Sequence, residues 1–163
     1  MAARPMDTET RAVSDDHGAI RLWLRMLATN RLVETRTRRL LQDRYATTLP
    51  RFDLMAQLER APKGLKMGEL GKRMMVTGGN ITGITDLLEK EGLVERVADP
   101  GDRRAWLVRL TAAGRRAFST MAKEHEGWIV EAFHPLTGRE MAAMAALLAR
   151  LKTHVRSLEE RDA

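Results

Sequence analysis

Apolar residues recur every three or four positions over most of the chain, and this spacing predicts a mainly helical protein. The pattern predicts a long first helix over residues 16–45. A second helix begins at Thr48, with Pro50 in its first turn, and is closed by Pro62. Because the first helix is longer than one small core can cover, we expect it to pack against a partner.

The next stretch alternates short helical patterns with glycine-containing turns. After the linker "KGL", the spacing predicts a short helix from Met67 to Met74, a turn "VTGG" in which Thr77 is a candidate N-cap, and a helix over residues 78–91 that stops at Gly92. Two helices joined by a short turn are typical of a helix-turn-helix, although many helical hairpins share that order.

Two short β-prone runs follow this helix pair. "LVERVA" and "WLVRL" flank the turn sequence "DPGD", and the second run alternates with a period of two. They predict a β-hairpin, with residues 97–107 as its projecting part and Trp106, Val108 and Leu110 as its core. A hairpin placed directly after a helix-turn-helix is a wing.

The last third of the chain predicts two more helices. Thr111 caps the first, and Thr137 with Glu140 forms a capping box that opens the second. The second carries an apolar seam spaced 3, 4, 3, 4, 3, made of Met141, Met144, Leu148, Leu151, Val155 and Leu158. The seam packs either against the chain's own core or against a second subunit. An intersubunit interface is favoured, because the apolar residues of the long first helix must also be buried.

The predicted fold is therefore mainly α with a small β-hairpin wing, a winged helix-turn-helix core between N- and C-terminal dimerisation helices. The net charge of +6 and the isoelectric point near 10.3 favour a polyanionic partner such as nucleic acid. The basic charge lies early: between Ile20 and Arg44 there are seven arginines against two acidic residues.

Several classes of function find no support in the residues. The chain has no cysteine, which excludes disulfides and thiolate sites, and its four histidines lack metal-ligand spacing, so no metal or cofactor is expected. No glycine-rich phosphate loop, Ser/His/Asp signature or pair of catalytic carboxylates suggests an enzyme. No apolar run reaches the ~20 residues of a membrane span, and the polar N-terminus lacks a signal sequence, so a soluble cytoplasmic protein is expected.

Four segments carry a family resemblance: "LPRFDLMAQLERAP", "MGELGKRM", "GNITGITDLLEKEGLVER" and "DPGDRRAWLVRLTAAG". They resemble the MarR family of winged-helix transcription regulators. The last segment is the most specific, because the family's Asp-x-Arg tip, its strand and its helix-opening glycine all have counterparts in Asp102, Arg104, Val108, Leu110, Thr111 and Gly114. Gly83 departs from the family, since many relatives carry arginine there.

The resemblance implies a homodimeric regulator, a ligand-responsive repressor that binds double-stranded DNA at a pseudo-palindromic operator. The polar N-terminus predicts a flexible arm over residues 1–15, and the resemblance implies a dimerisation helix over 16–47, a DNA-binding lobe over 48–117 and C-terminal dimerisation helices over 118–163. The recognition helix would enter the major groove, and the wing would reach the minor groove.

The residues expected to contact DNA lie at the start of the recognition helix and at the wing tip: Thr77, Gly79, Asn80, Thr82, Gly83, Asp102, Arg103 and Arg104. The resemblance places Arg104 in the minor groove, where a guanidinium is attracted to focused negative potential, and Arg103 would face a phosphate. Asp102 would orient the tip through a bridge to Arg104 or Arg96. The competing interpretation is a solvated turn without a function.

The outward face of the predicted recognition helix is short of positive charge. Asp86 on this face would either accept a hydrogen bond from a cytosine amine or pair with a nearby arginine. The lack of arginine here keeps open a second function, a winged-helix protein-interaction module that does not bind DNA. The two arginines of the wing tip argue against that alternative.

Members of the family often bind small anionic or phenolic effectors in a cleft beside the dimerisation helices. The candidate lining in this chain consists of Trp23, Leu27, Arg51, Phe52 and Met55, with Arg51 available to pair with a carboxylate. Each of these residues also has an ordinary interpretation, since the two aromatic residues suit a core and Arg51 suits a solvated helix start.

Overall fold

The structure is a computed structural model that describes residues 17–74 and 80–162, without the side chains of Arg103 and Asp162. Its helices are α1 (Gly18–Tyr45), α2 (Leu49–Glu59), α3 (Met67–Arg73), α4 (Ile81–Lys90), α5 (Ala112–Phe133) and α6 (Gly138–Asp162). Its strands are β1 (Leu65–Lys66), β2 (Val94–Asp99) and β3 (Asp102–Leu110). The mainly helical fold with a hairpin wing is confirmed. One compact unit ends at Glu126, and a second begins at Gly127.

The core of the first unit is built on α2, whose side chains are buried on nearly every face. Thr48 caps this helix by accepting a hydrogen bond from the Arg51 amide at 3.4 Å, and Pro50 lies in its first turn, as predicted. Leu54, Met55 and Leu58 are almost completely buried. By contrast, only Thr37 and Leu41 of α1 are buried, so this long helix leaves most of its apolar side chains uncovered.

The sheet has three strands in the order β1-β3-β2, with both pairs antiparallel. The prediction of a mere linker at "KGL" was wrong, because Leu65 pairs with Val108 and Lys66 with Leu107. A strand of two residues is too short to show an alternation of apolar and polar residues, so the sequence pattern does not predict β1. Gly64 makes the pairing possible: its φ is +96°, and a Cβ there would lie 3.0 Å from the Val108 carbonyl oxygen.

The predicted recognition helix begins later than the sequence suggested. The prediction placed its start at residue 78, but α4 starts at Ile81 with Asn80 as its N-cap. The Asn80 side-chain oxygen accepts a hydrogen bond from the Gly83 amide at 3.3 Å, which satisfies one of the free donors of the first turn. Thr77, the predicted cap, lies outside the described residues.

The end of α4, both long strands and the start of α5 meet at the Leu93 backbone. The Leu93 carbonyl accepts a hydrogen bond from the Thr111 amide at 3.1 Å, and the Thr111 hydroxyl donates to the Gly92 carbonyl at 2.7 Å. The same hydroxyl accepts from the Gly114 amide at 2.9 Å, so Thr111 caps α5 as predicted. A Cβ on Gly114 would lie only 1.9 Å from the Leu93 oxygen, and only glycine fits there.

The second unit consists of the end of α5 and all of α6. The predicted capping box is confirmed: the Thr137 amide donates to the Glu140 carboxylate at 2.8 Å, and the Glu140 amide donates to the Thr137 hydroxyl at 3.3 Å. The bond from the Thr137 amide lowers the pKa of the Glu140 carboxyl. Among the described helices, none combines the length and the apolar character required to span a membrane.

Gly114 should therefore be essential for stability. Gly114→Ala is expected to lower the free energy of unfolding by about 3 kcal/mol or more, because the new methyl group must push the Leu93 carbonyl away from its partners. Urea denaturation followed by circular dichroism measures this loss.

Gly127→Ala is the matched control in the same helix, since a Cβ there meets no atom within 4 Å. This substitution should stabilise the protein by roughly 0.5–1 kcal/mol through helix propensity. Equal effects of the two substitutions would contradict the close approach at Leu93.

Candidate nucleic-acid interface

The α4 helix presents one buried face and one polar face. Thr85 and Leu88 are fully buried, and the Thr85 hydroxyl donates to the Ile81 carbonyl at 2.7 Å. Thr82, Asp86 and Lys90 are exposed on the other side, as the helical projection predicts. Because Gly83 has no side chain, nothing protrudes from the helix at this position. A nucleic acid backbone can therefore approach the start of α4 closely.

The acidic residues of α4 are held by an arginine of the wing. The guanidinium of Arg96, a residue of β2, forms ion pairs with both Asp86 and Glu89. The backbone amide of Arg96 also donates a hydrogen bond to the Glu89 carboxylate at 3.3 Å. The hydrogen bond with Asp86 is the main reason that the pKa of Arg96 is raised. Of the two alternatives for Asp86, the structure shows pairing with an arginine.

Lys66 and two aspartates organise the wing tip. The Asp99 carboxylate accepts from the Gly101 amide at 2.9 Å and lies 3.2 Å from the Lys66 ammonium, and these two contacts lower the pKa of Asp99. Asp102 lies 3.8 Å from the same ammonium. Lys66 was not among the predicted site residues, because its position at the wing turn depends on the pairing of a two-residue strand with β3.

Asp102 orients the tip in a different way from the one expected. Its carboxylate accepts from the backbone amide of Arg104 at 3.0 Å, while Arg96 is engaged with α4. The expected bridge from Asp102 to a guanidinium is therefore replaced by a backbone hydrogen bond and by the contact with Lys66. The Arg104 side chain is exposed at the tip. Thr77 and Gly79 lie outside the described residues, as does the side chain of Arg103.

The hairpin core is smaller than predicted. Val108 and Leu110 are fully buried, but Trp106 is 59% exposed. Trp106 pairs with Ala98, next to an irregularity in the strand register, on the part of the hairpin that projects beyond the helices. Trp106 follows the same two-residue alternation as the buried Val108 and Leu110, but the core does not extend as far as its side chain. The prediction that Trp106 belongs to the core was therefore wrong.

The predicted effector residues do not gather in one place. Arg51 and Met55 line a cavity together with residues of α1, α4 and α5. Phe52 is buried, with its ring centroid 5.3 Å from that of Phe118 and 4.7 Å from that of His125. Burial lowers the pKa of His125. Trp23 and Leu27 are exposed on α1 and are not part of this cavity lining.

The α4 face and the wing tip together suit a polyanion. The start of α4 offers backbone amides and the positive end of a helix dipole, and its small side chains let a phosphate approach. Arg96 offsets one of the two negative charges, on Asp86 and Glu89, that would otherwise repel this phosphate. Arg104 adds an exposed guanidinium on a turn whose backbone is fixed by Asp102.

Comparison with known proteins decides the family. The family model described as "MarR family" matches residues 47–106. The transcriptional activatory protein BadR of Rhodopseudomonas palustris is 30% identical over 126 residues, which cover 76% of this chain and 71% of BadR. The chain belongs to the MarR family.

Two solved MarR structures superpose on the chain. A MarR family transcriptional regulator from Silicibacter pomeroyi is 33% identical, with a TM-score of 0.73 over 86% of this chain and 99% of its own. Sco3205 from Streptomyces coelicolor, solved in complex with DNA, is 23% identical and shares the fold, with a TM-score of 0.73 over 87% and 91%. The chain is thus a DNA-binding transcriptional regulator of the MarR family. These comparisons do not support the alternative of a protein-interaction module.

Arg96 should contribute to DNA affinity without touching DNA. Arg96→Met is expected to weaken binding on the order of 1 kcal/mol, about fivefold in Kd, because Asp86 and Glu89 then face the phosphates unpaired. The loss should shrink as salt is added. Fluorescence anisotropy with a labelled duplex selected from a random library measures both effects.

Restoring the wild-type net charge of this cluster should restore binding. Adding Asp86→Asn to Arg96→Met should recover most of the lost affinity, whereas a merely structural role of Arg96 would leave the double variant weak. Arg109→Met is the control, since Arg109 pairs with Glu95 at 2.8 Å on the same hairpin but contacts no acid of α4. A loss in this control equal to that of Arg96→Met would refute the charge argument.

Proposed function

We propose that α4 enters the major groove of an operator while the wing tip inserts Arg104 into the adjacent minor groove. The observation that carries this proposal is the exposed Arg104 on a turn fixed by Asp102, in the hairpin that follows α4, a helix whose exposed side begins with the small residues Thr82 and Gly83. Arginine suits a narrow minor groove better than lysine does, because its guanidinium is less strongly hydrated and donates in a planar fork.

The contacts to DNA divide between the two elements. Asn80 uses its side-chain oxygen for the helix cap, so its amide nitrogen is the group that it offers to a phosphate or a base. Thr82 and the backbone near Gly83 lie beside it. Since this face carries little positive charge, the wing supplies much of the affinity, and recognition by α4 depends on close approach. The predicted contacts of Thr77, Gly79 and Arg103 belong to the same proposal.

We also propose that the protein works as a homodimer on a pseudo-palindromic operator. On α6, Met141, Met144, Leu148, Leu151 and Val155 are each about 40% exposed in the single chain, an apolar row that costs free energy in water. On α1, Leu22, Trp23 and Leu32 are more than half exposed. A second copy would cover both rows, and two-fold symmetry would place two α4 helices on half-sites one helical turn apart.

As a dimer on DNA in the cytoplasm, the regulator would repress by occupying a promoter. Membership in a family of transcription regulators supports a role in the control of transcription. Transcription in vitro from a promoter that contains the selected operator tests the direction of control, and repression is the expected result.

Arg104 should detect the shape of the flanking DNA. Arg104→Ala is expected to cost about 1–3 kcal/mol on an operator with A·T-rich flanks and clearly less on one with G·C-rich flanks, because a narrow minor groove focuses the potential that attracts the guanidinium. Titration of the two operators at several salt concentrations measures the difference.

Arg103→Ala is the companion variant in this titration. It should weaken binding to both operators equally and lower the salt slope by roughly one unit, as expected for a phosphate contact. If Arg104→Ala also loses the same free energy on both flanks, Arg104 is itself a phosphate contact and minor-groove insertion is wrong.

The α6 seam should hold the dimer together. Leu148→Asp combined with Leu151→Asp places two charges in an apolar interface, where unpaired ions are strongly disfavoured, so the dimer should be lost. Sedimentation equilibrium at micromolar concentration measures the assembly state.

The control places the same charges on the opposite face of the helix, at the exposed positions Ala146 and Thr153. Ala146→Asp with Thr153→Asp should remain dimeric. A monomeric wild-type protein, or equal dissociation of the seam and control variants, would overturn the proposed interface.

A further inference from the structure

Trp106 is a large aromatic residue that the wing leaves in water. It lies on β3, pairs with Ala98 of β2 and is 59% exposed. Ala98 is small and exposed as well, so it covers little of the indole ring. An exposed tryptophan combines apolar surface that gains free energy on burial with one N–H donor, and this combination suits a binding surface that is partly apolar and partly polar.

The strand register shows on which face of the hairpin Trp106 lies. In an antiparallel pair, residues directly opposite each other project on the same face, and this face repeats every second residue. Arg96 pairs with Val108. Ala98 pairs with Trp106 two residues nearer the tip, so this pair projects on the same face. Because the Arg96 guanidinium reaches Asp86 of α4, the face that carries Trp106 is the one directed towards α4.

The proposed function determines what this face would meet on DNA. The major and minor grooves of a duplex are adjacent, and one sugar-phosphate backbone separates them. If α4 occupies the major groove and Arg104 the next minor groove, this backbone must cross the hairpin between the two. Trp106 lies in that interval, on the side towards α4 and two residues from Arg104 along β3.

We propose that Trp106 binds the DNA backbone between the two grooves. Its indole Nε1–H group donates a hydrogen bond to one phosphate, and its ring packs against the neighbouring deoxyribose. This contact rests on the proposed placement of α4 and the wing tip. Contacts to phosphate and sugar fix the orientation of a protein on a duplex without reading its sequence. Trp106 therefore positions the hairpin on the backbone, and Arg104 reads the groove beyond it.

Two substitutions separate the N–H group from the ring. Trp106→Phe removes the donor and keeps most of the apolar surface, and Trp106→Ala removes both. In fluorescence anisotropy with the selected duplex, Trp106→Phe should bind on the order of tenfold more weakly than wild type, the effect of losing one hydrogen bond to a charged acceptor. Trp106→Ala should bind more weakly still. Both variants should melt at the wild-type temperature, because the side chain is exposed.

The salt dependence distinguishes Trp106 from a basic phosphate contact. The slope of log K against log salt counts the phosphates that lysine and arginine neutralise, because these side chains release counterions. The indole is neutral and releases none. Both Trp106 variants should therefore lose affinity by the same factor at every salt concentration and keep the wild-type slope.

Single methylphosphonate substitutions along the duplex locate the phosphate. One position in each half-site should weaken the wild-type protein severalfold but have little further effect on Trp106→Phe, since the bond is already lost in that variant. This position should lie between the bases that α4 covers and the flank whose sequence affects Arg104→Ala.

Leu107→Met is the matched control on the next residue of β3, which projects on the opposite face. It nearly conserves volume and should bind like wild type, with the wild-type response at every phosphate. Wild-type affinity of Trp106→Phe, a lowered salt slope, or the absence of a coupled phosphate would overturn the contact. If Arg104→Ala loses affinity in that case, the proposed function stands without it. A wild-type protein that binds no duplex would overturn both.

Discussion

The close approach between the Leu93 carbonyl and Gly114 holds the elements of the first compact unit together. At this point α4 has just ended, β2 begins, β3 has returned and α5 starts, so four elements share a few backbone atoms. Thr111 links them by bonding to Gly92 and Leu93 while it caps α5. The angle between the recognition helix and the wing depends on this junction, because both elements leave from it. A side chain larger than hydrogen at position 114 would separate them.

Ion pairs add a second link between α4 and the wing. Arg96 bridges from β2 to Asp86 and Glu89 of α4, and Lys66 bridges from β1 to the aspartates of the wing turn. Each basic residue offsets one of the two negative charges of an acidic pair. In the proposed complex, α4 would thus repel DNA less despite the acids on its outer face, and Arg104 adds an exposed positive charge at the wing tip.

Much of this organisation could be predicted from the sequence, because helices longer than two turns and a regular hairpin leave periodic signals. The caps at Thr48, Thr111 and Thr137 follow from local hydrogen bonding, which depends on residues three positions apart. The features that were missed depend on tertiary placement. Trp106 shares the period of Val108 but lies beyond the core, β1 is too short for any period, and Asn80 shortens α4 by capping it at a point that composition alone does not reveal.

The placement of the tryptophans gives the protein built-in optical probes. Of the three, Trp106 is exposed on the wing, Trp23 is exposed on α1, and Trp128 is 7% exposed. Their emission should therefore differ, with Trp128 bluest and the other two red-shifted by water. Replacing two of the three by phenylalanine leaves one reporter for each location. Quenching by acrylamide then tests, without any attached dye, whether DNA covers the wing and whether a second subunit covers α1.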